Sequence, residues 1–422
     1  MNNEENVACL PSKEEIAKRL ENKLNSFTKE ELVCLGNELS ERSRRLSIPP
    51  TTQLELLLTQ ACNLRCDYCW IREDVSPGMS FDIAQRAVDL AVEQSRGGEF
   101  NILFFGGEPL LKYELIQQVI LYAEQIMQQT GQKIVFSMTT NGTLLDEQKA
   151  KFFAEHKLQY LLSIDGSKAT HDKHRRLSSG GSSFDRIAEL FPMLKSYQPW
   201  IGARLTVVPD TVGDVCSNVR FLADMGINQF LIGSDADNIN WDKVSLETFR
   251  DQLLMTARFI AEEKSKGRHL RIASFERKEL ERYCSVKPRN YFEGATFCEA
   301  ASKLTVTDDG QIYPCSKFIT TGGKNDDHPY LLGNVFDGVK NISAQLDLCD
   351  RRMSVRQKCL ACELKDTCAS QCPAMFYRLT GSVFHADDQL CNYAKLVYTP
   401  IVPELLALAD AVEVASDQLR PT

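Results

Sequence analysis

The run Cys62-Asn63-Leu64-Arg65-Cys66-Asp67-Tyr68-Cys69 puts three thiols within eight residues, at C-x-x-x-C-x-x-C spacing. Three thiolates so close can hold three irons of a cubane cluster and leave the fourth iron open to a ligand. A structural zinc would want a fourth protein ligand, so the plainer alternatives are a zinc knuckle or three buried thiols. A second set follows toward the C-terminus: Cys298, Cys315, Cys359, Cys362, Cys368, Cys372 and Cys391, with Gly310 ahead of the second. A lone C-x-x-C reads as a zinc ribbon or a redox pair, but seven cysteines at these separations read as a larger metal assembly. Cys284, fourteen residues before Cys298, is either an extra ligand or an ordinary buried thiol. Cys9, Cys34, Cys216 and Cys349 fall in predicted helices or a linker and read as packing residues.

Such ligands need a scaffold. Apolar runs occur at LELLL (54–58), ILFF (102–105), KIVFSM (133–138), YLLSI (160–164), ARLTVV (203–208) and FLIG (230–233). Helical patterns lie between them, near 80–96, 111–128, 144–156, 184–196 and 212–225, with a charged helix at about 245–266. Near-continuous apolar strands separated by helices predict a parallel sheet covered by helices. Six β/α units are too few for a complete eightfold barrel, so the predicted class is α/β, a partial (β/α)6 TIM-like barrel. Ligands of such sheets bind at the carboxyl ends of the strands. The first strand leads into the cysteine run, the second into GGEP (106–109), the third into TTNG (139–142) and the fourth into SIDG (163–166). Each alone is a turn signal; four at one end of a sheet predict a functional mouth. The expected organisation is an N-terminal helical segment (1–50), the barrel (51–285), a Cys-rich α+β domain (286–395) and a C-terminal helix (396–422).

CNLRCDYC after the first strand, with GGEP after the second, closely resembles the radical S-adenosylmethionine superfamily over about residues 52–235. The resemblance implies a [4Fe-4S] cluster on Cys62, Cys66 and Cys69, whose open iron chelates the methionine amino and carboxylate groups of S-adenosyl-L-methionine. It implies Tyr68 against the adenine and Gly106, Gly107 and Glu108 toward the methionine ammonium. Asn141 and Ser163 stand where such proteins make ribose and carboxylate contacts. The second cysteine set looks like the SPASM domain, whose seven cysteines and one other ligand hold two auxiliary [4Fe-4S] clusters. By that resemblance Cys359, Cys362, Cys368 and Cys391 hold the outer cluster, and Cys298, Cys315 and Cys372 the inner one. Cys284 or an open iron completes the inner site. The cofactors implied are S-adenosyl-L-methionine and three [4Fe-4S] clusters, one catalytic and two auxiliary.

One electron passed into the bound sulfonium would release a 5′-deoxyadenosyl radical, which takes hydrogen from an unactivated carbon. The SPASM resemblance implies a peptide or protein substrate. Anaerobic sulfatase maturases carry an Asp general base directly after the second SPASM cysteine; here that residue is Ser316, whose hydroxyl has no suitable pKa. The expectation is therefore a maturase of a ribosomally made precursor peptide (RiPP), forming a thioether or C–C crosslink. Backbone excision of the spliceotide type and epimerisation are alternatives, with sulfatase maturation behind them. No catalytic residue is assigned beyond the cluster. Residues 1–50 show no β-hairpin of a winged leader-binding domain, so a separate leader-recognition protein or another surface is expected, with an electron donor of flavodoxin or ferredoxin type. The stretch THDKHRRLSSGG (170–181) is basic and Gly-rich and reads as a lid for an acidic peptide or as a solvated loop. Within it His171, Asp172 and Arg175 resemble a recurring loop of this family, without an assigned catalytic role.

Composition narrows the rest. Fifteen cysteines among 422 residues are too sparse for a disulfide scaffold, and the odd number fits poorly with complete pairing. Lys and Arg number 49 against 57 Asp and Glu, a net charge of −8 that opposes a nucleic-acid partner. The N-terminus lacks an apolar signal region and no run of 18 apolar residues exists, so neither secretion nor a membrane partner is expected, and the thiol content suits the cytoplasm. The rival from a different class is a zinc-stabilised binding protein.

Overall fold

Strands form where the apolar runs lie. They are β1 (Gln53–Leu57), β2 (Phe100–Phe105), β3 (Ile134–Thr140), β4 (Gln159–Ser163), β5 (Gly202–Val207) and β6 (Gln229–Ser234), parallel and adjacent in chain order. A short β7 (Arg271–Ile272) lies beyond β6. The connecting helices are α1 (Phe81–Ser95), α2 (Tyr113–Thr130), α3 (Glu147–Glu155), α4 (Lys168–His174), α5 (Ser183–Tyr197), α6 (Val215–Met225) and α7 (Lys243–Ser265). This is a partial TIM-like barrel of parallel strands and helices. The computed structural model describes residues 28, 36, 48–71, 77–235, 241–275, 299–319, 327–349, 357–362 and 372–409. The helices expected in 1–50, and Cys9, Cys34, Cys284, Cys298 and Cys368, lie outside the described residues. Of the expected C-terminal helix, 402–409 are described and helical. The chain divides into two units, Met1–Ile48 and Pro49–Thr422, and the sheet and its helices belong to the second.

Local chemistry explains where several helices start. Ser80, Asp146, Ser182 and Asp242 each accept a hydrogen bond from a backbone N–H of the first turn, at 3.3, 2.8, 2.9 and 2.7 Å. Each cap satisfies a donor that the helix itself leaves unpaired. Gly131 and Gly226 end α2 and α6 in the left-handed region.

Alternation along the strands sorts the side chains into two faces. Leu54, Leu56, Ile102, Phe104, Leu162 and Phe230 point to the helices and are fully buried. Each such side chain contributes about 1.5–3 kcal/mol of burial. The opposite, concave face carries Glu55, Asn101, Ser137, Ser163, Arg204, Thr206 and Gly233. Parallel register keeps that face continuous: Ser163 pairs with Arg204, Arg204 with Leu231, and Thr206 with Gly233. The Asn101 side chain donates to Ser137 Oγ across it at 2.8 Å.

The sheet also runs past β1. There β8 (Lys303–Val306) pairs parallel to β1, and β9 (Gln311–Tyr313), β10 (Gly333–Asn334) and β11 (Gly338–Val339) continue antiparallel. Gly310, at φ +87°, makes the turn that sends β9 directly into Cys315. The Cys-rich region thus shares the sheet of the barrel. Among the described residues no helix is long and apolar enough to cross a membrane.

One expectation is corrected. The stretch 170–181 is neither lid nor solvated loop at its start, because α4 occupies it and His171 and Arg175 are buried. The reason is an ion pair between Arg175 and Asp165, the aspartate of SIDG.

Candidate metal centre

β1 passes through Thr59–Ala61 into the cysteine run, and the end of β2 lies against that segment. Gly107 N–H donates to the Thr59 carbonyl at 2.8 Å, and Glu108 N–H to the Ala61 carbonyl at 2.9 Å. A Cβ on Gly106 would stand 2.4 Å from the Thr59 oxygen, and one on Gly107 only 2.2 Å from that of Ala61. Gly106 also sits at φ +135°. Two backbones approach so closely here that a side chain has no room.

Glu108 is 1% exposed. Its Oε1 accepts from Leu110 N–H at 3.0 Å and Thr140 Oγ1 at 2.7 Å, and its Oε2 from Asn141 N–H at 2.8 Å. Burial pushes its carboxyl up to about 7. Both oxygens are engaged in joining the ends of β2 and β3, so the face turned to the cysteine segment is the GGE backbone. Asn141 continues the strut. Its Nδ2 donates to Asn63 Oδ1 at 2.8 Å and reaches Cys62 Sγ at 3.9 Å, while its Oδ1 accepts from Thr143 N–H at 3.0 Å. Asn63 Nδ2 in turn donates to Thr143 Oγ1 at 2.8 Å.

Tyr68 is held from the opposite side. Its hydroxyl donates to Asp165 Oδ2 at 2.5 Å. Arg175 clamps the same carboxylate, Nε to Oδ2 at 2.8 Å and Nη2 to Oδ1 at 3.1 Å, and Thr206 N–H donates to Oδ1 at 2.8 Å. Burial alone would raise the Asp165 carboxyl, but the Arg175 guanidinium and these hydrogen bonds hold it below the usual range. The guanidinium also lies 5.3 Å from the centre of the Tyr68 ring. His171 completes the base. Its Nδ1 accepts from Asp165 N–H at 3.3 Å and its Nε2 stands 2.8 Å from Ser183 Oγ. Burial pushes this imidazole down to about 4. Ser163 is the last residue of β4, on the concave face beside Arg204.

The three thiols share one field. Burial above all raises Cys62 and Cys66, the latter to about 12, and each also feels the charge of Cys69. Three thiolates at neutral pH would repel one another here unless a cationic centre joined them. No three His, Cys, Asp or Glu side chains among the described residues converge as ligands of a single ion. A cubane has a different demand, since each thiolate binds its own iron. The donor set thus fits an iron–sulfur cluster held by Cys62, Cys66 and Cys69.

The described C-terminal cysteines fall into two groups. Cys315 starts the 3-10 turn Ser316–Phe318 and Cys372 starts the helix Pro373–Thr380, and these two elements touch through the rings of Phe318 and Tyr377, 6.2 Å apart. Cys359 and Cys362 share a turn, Cys362 N–H donating to the Cys359 carbonyl at 3.1 Å. Their neighbour Lys358 is ion-paired with Asp388, at the start of the helix Asp388–Tyr393 that carries Cys391.

Three residues escaped the sequence reading: Asp165 as the hub under Tyr68, Glu55, and Arg204. Glu55, 6% exposed, accepts from Thr305 Oγ1 at 2.9 Å and from the hydroxyl and N–H of Ser316. Its carboxyl is raised by burial. A charged residue inside an apolar strand run was the available signal for both Glu55 and Arg204.

Known proteins resemble this chain in sequence and fold. Residues 56–222 match the Radical SAM superfamily. The cysteine-type anaerobic sulfatase-maturating enzyme of Clostridium perfringens (strain 13 / Type A) is 28% identical over 183 residues, 42% of this chain and 50% of that protein. The chain therefore spans about half the length of that relative. Among solved structures, native anSMEcpe with bound AdoMet and Cp18Cys peptide superposes with a TM-score of 0.67 at 22% identity, covering 86% of this chain and 100% of that one. Streptococcus suis SuiB bound to precursor peptide SuiA gives 0.62 at 15% identity, covering 90% and 88%. These structural likenesses establish the shared fold.

Proposed function

We propose that this chain, which carries a radical S-adenosylmethionine domain over residues 56–222, is an enzyme that matures a ribosomally made peptide, forming a thioether or C–C crosslink. The observation that carries this is the half-buried thiol triplet at the carboxyl ends of β1–β3, braced by Gly106, Gly107 and Asn141 on one side and by Asp165 on the other. When bound there, a [4Fe-4S] cluster with S-adenosyl-L-methionine supplies a 5′-deoxyadenosyl radical that abstracts hydrogen. The chain's own part is positioning and exclusion of water. Cys62, Cys66 and Cys69 hold the cluster; Tyr68, the Gly106–Glu108 backbone, Asn141 and Ser163 line the cofactor. Grouping of Cys315 with Cys372, and of Cys359 and Cys362 with Cys391, supports assigning them to an inner and an outer auxiliary cluster. Cys298, Cys368 and Cys284 complete those sets in this reading, three clusters in all, within a SPASM region at 286–395. A peptide substrate is supported by the peptides in the two similar structures. An external one-electron donor completes the system.

A second reading, maturation of a sulfatase, is favoured by one observation. Ser316 lacks a carboxylate, but Glu55 brings one to its hydroxyl. Anaerobic incubation with reductant, S-adenosyl-L-methionine and either short candidate precursor peptides or a sulfatase peptide, followed by mass spectrometry, separates the two. Loss of two hydrogens from the first supports crosslinking, whereas conversion of the sulfatase peptide alone supports the second. A colourless, iron-free protein after anaerobic reconstitution would sink both.

A further inference from the structure

Two charged side chains stand on the concave face of β1–β6, Glu55 and Arg204. Glu55 has its donors, but Arg204 has no carboxylate among the described residues. Its guanidinium makes one long hydrogen bond, Nη1 to the Leu231 carbonyl at 3.4 Å. No Asp or Glu among the described residues lies within ion-pair distance of it. Asp165, a carboxylate whose charge acts on it, is taken by Arg175, Tyr68 and Thr206. Burial and the like charge of Arg175 both work against the cation. A half-buried guanidinium on the barrel's inner face without an anion is an unfinished arrangement.

Gly233 makes the room for it. A Cβ there would meet Nη1 at 2.6 Å, Nη2 at 2.9 Å and Cζ at 3.2 Å. The backbone of Gly233 is in an ordinary region, so space and not conformation calls for glycine. On one side lies the Tyr68–Asp165–Arg175 hub behind the first cysteine run. On the other lies half-buried Tyr398, whose ring is tilted 60° to that of Tyr393 at 5.7 Å. Tyr393 is two residues after Cys391 and is hydrogen-bonded to Ser234 at the end of β6, at 2.8 Å. The guanidinium therefore stands between the two cysteine-bearing regions, on the wall that a substrate spanning them would pass.

We propose that Arg204, seated over Gly233, is a specificity residue that binds a carboxylate of the peptide substrate, an acidic side chain near the modified residue. The planar fork of arginine suits a bidentate carboxylate. This rests on the peptide-maturase reading. The methionine carboxylate of the cofactor is the other source of the same chemistry.

The test uses the full, anaerobically reconstituted chain, with N-acetyl-L-glutamate α-amide as probe and the glutamine analogue as control. Binding is read by calorimetry and by the rise of the unfolding midpoint with probe concentration. The glutamate probe is expected to bind and the glutamine probe not to. Arg204→Met should weaken glutamate binding by about tenfold or more, the loss for removing hydrogen bonds to a charged group. Gly233→Ala, which drives a methyl into the guanidinium, should weaken it as well and decides the matter if Arg204→Met fails to fold. S-adenosyl-L-methionine affinity, by equilibrium dialysis, should stay within about twofold in both variants. Equal glutamate binding in wild type and variants, or none in wild type, overturns the proposal. A tenfold loss of S-adenosyl-L-methionine affinity in Arg204→Met also overturns it, by giving the guanidinium to the cofactor. Failure of the underlying reading shows separately, as wild-type protein without cluster absorbance or cofactor binding.

Discussion

The Asp165–Arg175 pair joins the loop after β4 to the end of α4 and, through Tyr68, to the cysteine run. Both side chains are under a tenth exposed, and the carboxylate takes four donors between 2.5 and 3.1 Å. Asp165→Asn leaves the guanidinium buried and uncompensated, and Arg175→Met does the same to the carboxylate. Breaking a buried pair from one side costs about 3–5 kcal/mol. Each single variant should therefore lose about that much in urea unfolding, read by tryptophan fluorescence at pH 7. The double variant removes both charges and should lose less than the sum, with a coupling of about 1.5–3 kcal/mol. Tyr68→Phe removes one hydrogen bond to a charged acceptor, worth about 1.5–3 kcal/mol. Because Tyr68 adjoins Cys69, iron content after reconstitution should fall in the same order as stability. Additive effects in the double variant, or single losses below about 1 kcal/mol, would refute the idea that this pair anchors the cysteine run.

Three further outcomes rest on the same geometry. Gly107→Ala should cost at least about 3 kcal/mol and abolish iron loading, because the methyl collides with a backbone carbonyl; Gly213→Ala, with nothing near its Cβ, should stay within about 0.5 kcal/mol, and equal effects in the two would count against the close-approach argument. In the cluster-free chain Glu108, raised from 4.5 to about 7, contributes stability below about 4.5 that is lost as pH rises through 7, while His171, lowered from 6.5 to about 4, contributes stability above about 6.5 that is lost as pH falls through 4. Their opposed slopes, about 1.4 kcal/mol per pH unit each, should leave unfolding nearly flat between, and Glu108→Gln should unmask a rise with pH; a flat profile in that variant contradicts the assignment. Glu55→Gln should keep the iron content and lower turnover at least about tenfold if the carboxylate takes a proton from substrate or Ser316, whereas unchanged turnover measured by mass spectrometry assigns it to structure alone.

Much of the scaffold was readable in one dimension. The six apolar runs overlap the six strands to within about two residues, and Ser80, Asp146 and Ser182 mark helix starts by cap chemistry. These signals are local, carried by residues a few positions apart. The stretch 170–181 misled because its composition is that of a loop, and propensity yields when a partner ten residues away makes burial favourable for Arg175.

The sequence by itself determined the class of fold, the spacing of the thiols and the end of the sheet at which they gather, because periodicity and parallel topology are properties of order along the chain. What only the tertiary structure decided is what the motif residues do. Glu108 and Asn141 proved to be struts, Asp165 a hub and Arg204 a cation with no carboxylate beside it among the described residues. Each depends on which charges and dipoles, 10 to 97 positions apart in the chain, are brought to one place by the fold.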